Sequence, residues 1–144
     1  MTIANHPISR SGFLRIVAGV AGGMFAVLSL PANAMASSRR PFRHPEPRPG
    51  ITGEHVLAES RLPADEKVRA AFAAAREHPE IFDGLFCACR CQKSQGHRSL
   101  LTCYETEQPT GCLGCQEEAA FAARQIAAGR SLAEIRKAVD EEYG

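Results

Sequence analysis

The stretch Ser131-Leu132-Ala133-Glu134-Ile135-Arg136-Lys137-Ala138-Val139-Asp140-Glu141-Glu142-Tyr143 decides the secondary-structure class. Leu132, Ile135, Val139 and Tyr143 recur at three- and four-residue spacing and form one stripe of an α-helix. Ser131 stands at the N-cap, and Glu134, three residues on, completes a capping box. Working back along the chain, Gly129 stops a longer helix that starts near Leu113 and runs to Ala128. Cys115, Ala119, Ala122 and Ile126 lie along its inward face. Before the loop signal Pro109-Thr110-Gly111, His97–Tyr104 makes a short helical turn, and Glu80–Phe86 makes another that carries Ile81, Leu85 and Phe86 inward. Val68, Ala71, Phe72 and Ala75 give one further helical face, opened by Pro63-Ala64-Asp65 and ended before Pro79. No stretch alternates like a strand, and no segment repeats. The expected fold is all-α, a small bundle of four to five short helices with a cysteine-rich loop, spanning residues 54–144.

The N-terminal third reads differently. Arg10 and Arg15 precede an uncharged run from Ile16 to Leu30, followed by Pro31 and Ala32-Asn33-Ala34. This is the tripartite layout of a secretory signal peptide, assigned to residues 1–36 with cleavage after Ala34 or Ala36. The run is shorter than the ~20 residues that span a bilayer, so no stable membrane span is expected after cleavage. A second arginine beside Arg10 is missing, which favours Sec over twin-arginine export and a periplasmic or secreted location. Residues 37–53 are rich in proline and arginine and poor in apolar side chains, the composition of a disordered linker.

The chain of 144 residues has a formal charge of +1, so it lacks the basic excess of a nucleic-acid-binding domain. The alanine-rich helical part promises a modest core, and domains of this size often need covalent or metal staples. All six cysteines fall between positions 87 and 115, in the order C-x-C-x-C, Cys103, C-x-x-C. Cys87, Cys89 and Cys91 at alternate positions are poorly placed to pair with one another as disulfides. A curled loop brings such sulfurs round a soft cation instead. Cys112 and Cys115 sit in the first turn of the long helix, where the helix dipole favours thiolate. The two clusters resemble the halves of a metal site, with ligands Cys87, Cys89, Cys91, Cys103, Cys112, Cys115 and, as an imidazole donor, His97. Thiolates select Cu(I) or Zn(II) over hard ions, so a copper or zinc ion is the expected cofactor and another exported metal-handling protein the expected partner.

Two other readings stay open. Six cysteines in an exported domain also fit three structural disulfides, among fifteen pairings. Cys112-Leu113-Gly114-Cys115 at a helix start also fits a thiol–disulfide oxidoreductase, although the βαβ framework of thioredoxin-like enzymes is missing. Neither an HExxH motif nor a phosphate loop is present, and the pairs Glu117-Glu118 and Glu141-Glu142 read as solvated helix faces. No enzyme activity is expected.

From about Pro79 to Tyr143 the chain resembles the bacterial proteins named for a PCYCGC motif, many of them exported lipoproteins. The likeness is carried by Phe86-Cys87-Ala88-Cys89-Arg90-Cys91, by Gly96-His97-Arg98-Ser99-Leu100 leading to Cys103, by Cys112-x-x-Cys115, and by Glu134-Ile135-Arg136 with Asp140 and Tyr143. Phe86 stands for the proline of the motif, Ala88 for the tyrosine and Arg90 for the glycine, while every cysteine is kept. The lipid-anchoring cysteine is absent. The resemblance implies an exported cysteine domain and names no ligand.

Overall fold

Apolar spacing and capping chemistry set the helices, and the computed structural model describes them within residues 41–144. The expected signal peptide, 1–36, and residues 37–40 lie outside the described residues. Six α-helices follow in order: α1 (Glu66–Glu77), α2 (Pro79–Asp83), α3 (Cys91–Gln95), α4 (Leu100–Tyr104), α5 (Leu113–Ala127) and α6 (Leu132–Tyr143). Short 3₁₀ turns occupy Glu59–Arg61 and Gln108–Thr110. Among the described residues there is no strand, and the all-α expectation holds. One more helix is present than the four to five expected, because Cys91–Gln95 winds into a short turn directly after the C-x-C-x-C run.

The caps are those the side chains dictate. Asp65 accepts from the backbone N–H groups of Lys67 (2.9 Å) and Val68 (3.1 Å) at the start of α1, satisfying donors that a helix start leaves open. Ser99 and Thr102 close a capping box on α4, and Ser131 and Glu134 close the expected one on α6. Val68, Ala71, Phe72 and Ala75 of α1 face Ala119 and Ala122 of α5 across the core. Small residues on both sides let the two backbones approach closely. Tyr104 is fully buried at the centre, edge-on to Phe72 and Phe82. On α6, Ile135 and Val139 are buried, whereas Leu132 and Tyr143 are only partly covered.

The expected disordered linker over 37–53 is corrected for its described part. Residues 41–53 form a strap held on the helices. Arg48 forks onto the buried Asp83 of α2, with Nε 3.1 Å from Oδ2 and Nη2 2.9 Å from Oδ1. Its backbone N–H adds a third bond of 2.7 Å to the same carboxylate. Phe42 stacks on Phe86, their centroids 4.9 Å apart, and Arg136 of α6 donates to the carbonyl of Gly84 and to Glu46. Gly53 passes so close to α1 that a Cβ there would lie 2.6 Å from the carbonyl oxygen of Arg76. Composition alone missed this because the stabilising contacts are ionic and aromatic, directed at single partners, and carry no hydrophobic period.

Candidate metal centre

The C-x-C-x-C segment turns sharply after α2. The N–H of Arg90 bonds the carbonyl of Cys87 at 2.9 Å, and Arg90 takes a left-handed conformation with φ of 60°. That curl lets Cys87 and Cys91 point into the core while Cys89 stays exposed. The C-x-C-x-C motif therefore divides its sulfurs between inside and outside. Cys103 projects inward from α4 and Cys115 from the first turn of α5, both fully buried, while Cys112 is half-buried at the N-cap of α5.

Six free thiols converge. Neighbouring sulfurs lie 3.2 Å apart for Cys87–Cys89, 3.1 Å for Cys89–Cys91, 2.9 Å for Cys91–Cys103, 3.4 Å for Cys89–Cys115, 3.8 Å for Cys87–Cys115 and 3.0 Å for Cys112–Cys115. The sulfurs of Cys87, Cys91, Cys103 and Cys115 all fall within 4.8 Å of one another, and so do those of Cys89, Cys112 and Cys115. A tetrahedral zinc with bonds of about 2.3 Å needs sulfur–sulfur edges of about 3.8 Å, so a single ion could touch all four of the first group. The contacts do not sort into three exclusive pairs, since Cys89 and Cys115 each have three sulfur neighbours.

The expected ligands are thus not all equivalent, and His97 stands apart. His97 belongs to neither sulfur group; its Nδ1 lies 3.0 Å from the carbonyl oxygen of Thr102 and donates to it. The imidazole fastens the loop before α4.

Electrostatics press against free charge in the cluster. For Cys87, the contact with Cys103 favours thiolate, but the contact with Cys115, burial and the nearby Glu118 carboxyl outweigh it and push the thiol up. Cys103 is helped by Cys115 and opposed by Cys87 and burial, with the same net direction. Cys115 is raised chiefly by its contact with Cys103, with Cys87 pulling the other way and burial adding to the rise. Crowded sulfurs that share one buried space cannot all ionise without a cation to offset them.

Two supporting side chains were not legible as such. Glu118 was expected on a solvated face but is fully buried. Its Oε2 accepts the N–H of Ala88 at 2.7 Å, between Cys87 and Cys89, and its Oε1 has no hydrogen-bond partner. Burial pushes its carboxyl up to about 8, against the pull of the Ala88 N–H and the Cys87 thiol. The signal was present: Glu118 lies three residues after Cys115, beside the stripe of Ala119 and Ala122. Tyr104 is the second, its hydroxyl donating to the carbonyl of Cys115 at 2.8 Å and tying the sulfur-bearing turn of α5 to the core.

The family described as a protein of unknown function with PCYCGC motif matches residues 51–144, more than half of the chain. The chain belongs to this family. No curated protein and no solved structure shows a significant match. In this PCYCGC protein, Arg90 occupies the motif's glycine position in the backbone conformation that favours glycine. Among the described residues, no helix is long and apolar enough to cross a membrane.

Proposed function

We propose that this PCYCGC protein binds a soft metal ion, Cu(I) or Zn(II), through cysteine thiolates, and that it serves metal binding, handover or buffering in the periplasm or outside the cell. The observation that carries this reading is the meeting of Cys87, Cys91, Cys103 and Cys115, from three separate stretches of the chain, within 4.8 Å in a buried space. Ligand chemistry supports the metal class, since thiolates prefer soft ions. The size of the domain supports a stabilising role as well, because a small alanine-rich core gains folding energy from a bound ion. The export expectation rests on the layout of residues 1–36.

The test is metal content measured together with free thiols on the full chain purified anaerobically. Stoichiometric metal, with thiols that react only after chelation, supports the reading. A chain without metal and without free thiols overturns it in favour of a disulfide-stapled scaffold.

A further inference from the structure

Cys115 is common to both sulfur groups, and this gives the site a division of labour. The group of Cys87, Cys91, Cys103 and Cys115 is complete and buried throughout. The group of Cys89, Cys112 and Cys115 has three sulfurs, of which Cys89 is exposed and Cys112 half-buried. A thiolate sulfur has lone pairs enough to bind two ions at once, and Cys115 lies 3.8 Å from Cys87 on one side and 3.0 Å from Cys112 on the other. Closed four-ligand sites hold their ions as structural elements, whereas sites with three protein ligands keep a position open to water or an incoming donor.

We propose that the six cysteines hold two ions of unequal lability, bridged by Cys115: an inner ion on Cys87, Cys91 and Cys103, and an outer ion on Cys89 and Cys112 whose fourth position is open at the surface. This inference rests on the thiolate-metal reading above and adds the exchangeable site. The outer ion is the one passed on. Its exchange partner is a protein or small carrier that offers a thiolate or imidazole, entering at the open position before Cys89 and Cys112 let go. The inner ion stays and keeps the loop, α4 and α5 together, so that the domain remains folded through each transfer. The exposed side chains of Arg90, within the C-x-C-x-C loop, and Lys93, just after it, favour approach of an anionic thiolate donor.

The test is titration of the full chain, fully reduced under anaerobic conditions, with Cd(II). Binding is followed by thiolate-to-metal charge-transfer absorbance and by native mass spectrometry, and release by a chelator is timed. Two ions are expected per chain, one released at least tenfold faster than the other. The double variant Cys89→Ser/Cys112→Ser should keep one slowly released ion, and Cys115→Ser should weaken both. Two ions leaving at one rate, or a single ion in the unaltered chain, would overturn the two-site inference while leaving the thiolate-metal reading intact. A reduced chain that takes up no Cd(II) would sink both. The release rates from the unaltered chain decide the matter even where a variant fails to fold.

Discussion

Arg48 closes on Asp83 from a position 35 residues earlier in the chain, its backbone N–H and guanidinium together giving three bonds to one fully buried carboxylate. Ser99 Oγ donates to the same carboxylate at 2.9 Å, and Arg98 lies 2.9 Å from it as well. Asp83 thereby joins the strap, α2 and the start of α4, the helix that carries Cys103. Removing it leaves several donors without their acceptor. Asp83→Ala should cost about 3 kcal/mol, at the low end for a broken buried pair because both guanidinium groups reach water. Arg48→Ala should cost less, since Arg98 and Ser99 remain. Thermal unfolding of the two variants, followed by circular dichroism, checks the order; equal losses would contradict it.

The same carboxylate sets an acid limit. Burial alone would raise its pKa, but the bonds from Arg48 and Ser99 win and hold it below the usual 3.8. A depressed carboxylate stabilises the fold in full above its unfolded value, and that contribution is lost as pH falls through the folded one. His44 acts in a higher window. Its Nδ1 accepts the Phe86 N–H at 3.0 Å, and its Nε2 donates to Asp140 at 3.3 Å. Burial lowers its pKa from 6.5 despite the pull of Asp140. The unfolded chain therefore takes up this proton first, so the His44 contribution to stability should fall as pH drops below about 6.5. Glu118, its carboxyl pushed up to about 8, works the other way by holding a proton that the unfolded chain has released. Denaturant unfolding of the metal-free chain and of His44→Ala between pH 7.5 and 4.5 isolates the His44 part, because the Glu118 contribution is common to both. His44→Ala should be less stable at pH 7, and its deficit should shrink as pH falls below about 6.5; a deficit that stays the same across the range would remove His44 from the account.

Regular helices were readable because their evidence is periodic and local. Val68, Ala71, Phe72 and Ala75 announce α1 by spacing, and Ser131 with Glu134 announces α6 by capping chemistry. The cysteines were equally plain as a group, since six fall within one short span of an otherwise cysteine-free chain. Their sorting was not readable. Whether Cys89 faces out while Cys87 and Cys91 face in depends on the φ of Arg90, and nothing in the arginine side chain signals a left-handed backbone. The strap was hidden for a related reason: Phe42, His44 and Arg48 are recognised by Phe86, Asp140 and Asp83, partners more than 30 residues away that no local pattern reveals. His97 entered the ligand set by residue type and its place six residues after Cys91; in the structure its Nδ1 bonds the Thr102 carbonyl and it lies outside both sulfur groups.

Arg90 offers a direct gain in stability. A left-handed residue with a Cβ costs about 1–2 kcal/mol, part of which glycine gives back in unfolded-chain entropy. The backbone bonds at this position, from Arg90 N–H to Cys87 and from Lys93 N–H to Arg90, need no side chain. Arg90→Gly should therefore stabilise the metal-free domain by about 0.5–1 kcal/mol, a rise of roughly 3–6 °C in Tm for a domain of this size. Arg90→Ala retains the Cβ and should bring no such gain. A glycine variant that melts no higher than the alanine variant would contradict the conformational argument.

Glu118 is the side chain through which the protein holds the cysteine loop in shape. Its Oε2 takes the Ala88 N–H, and that amide lies between the inward Cys87 and the outward Cys89. Partners of this kind orient metal ligands, and losing one commonly lowers affinity by about 10–100-fold. Glu118→Ala combines that loss with a cavity, so affinity and stability should fall together. Two further variants separate the effects. Glu118→Gln keeps a carbonyl acceptor for Ala88 and should bind metal within about threefold of the unaltered chain by the same measure. Glu118→Leu fills the space without an acceptor and should regain stability but not affinity. Competition for Zn(II) against a chromophoric chelator reads the affinities, and thermal unfolding of the metal-free variants reads the packing. If Glu118→Leu bound Zn(II) as tightly as Glu118→Gln, the carboxyl would be a space-filling residue and the Ala88 bond would play no part in aiming the sulfurs.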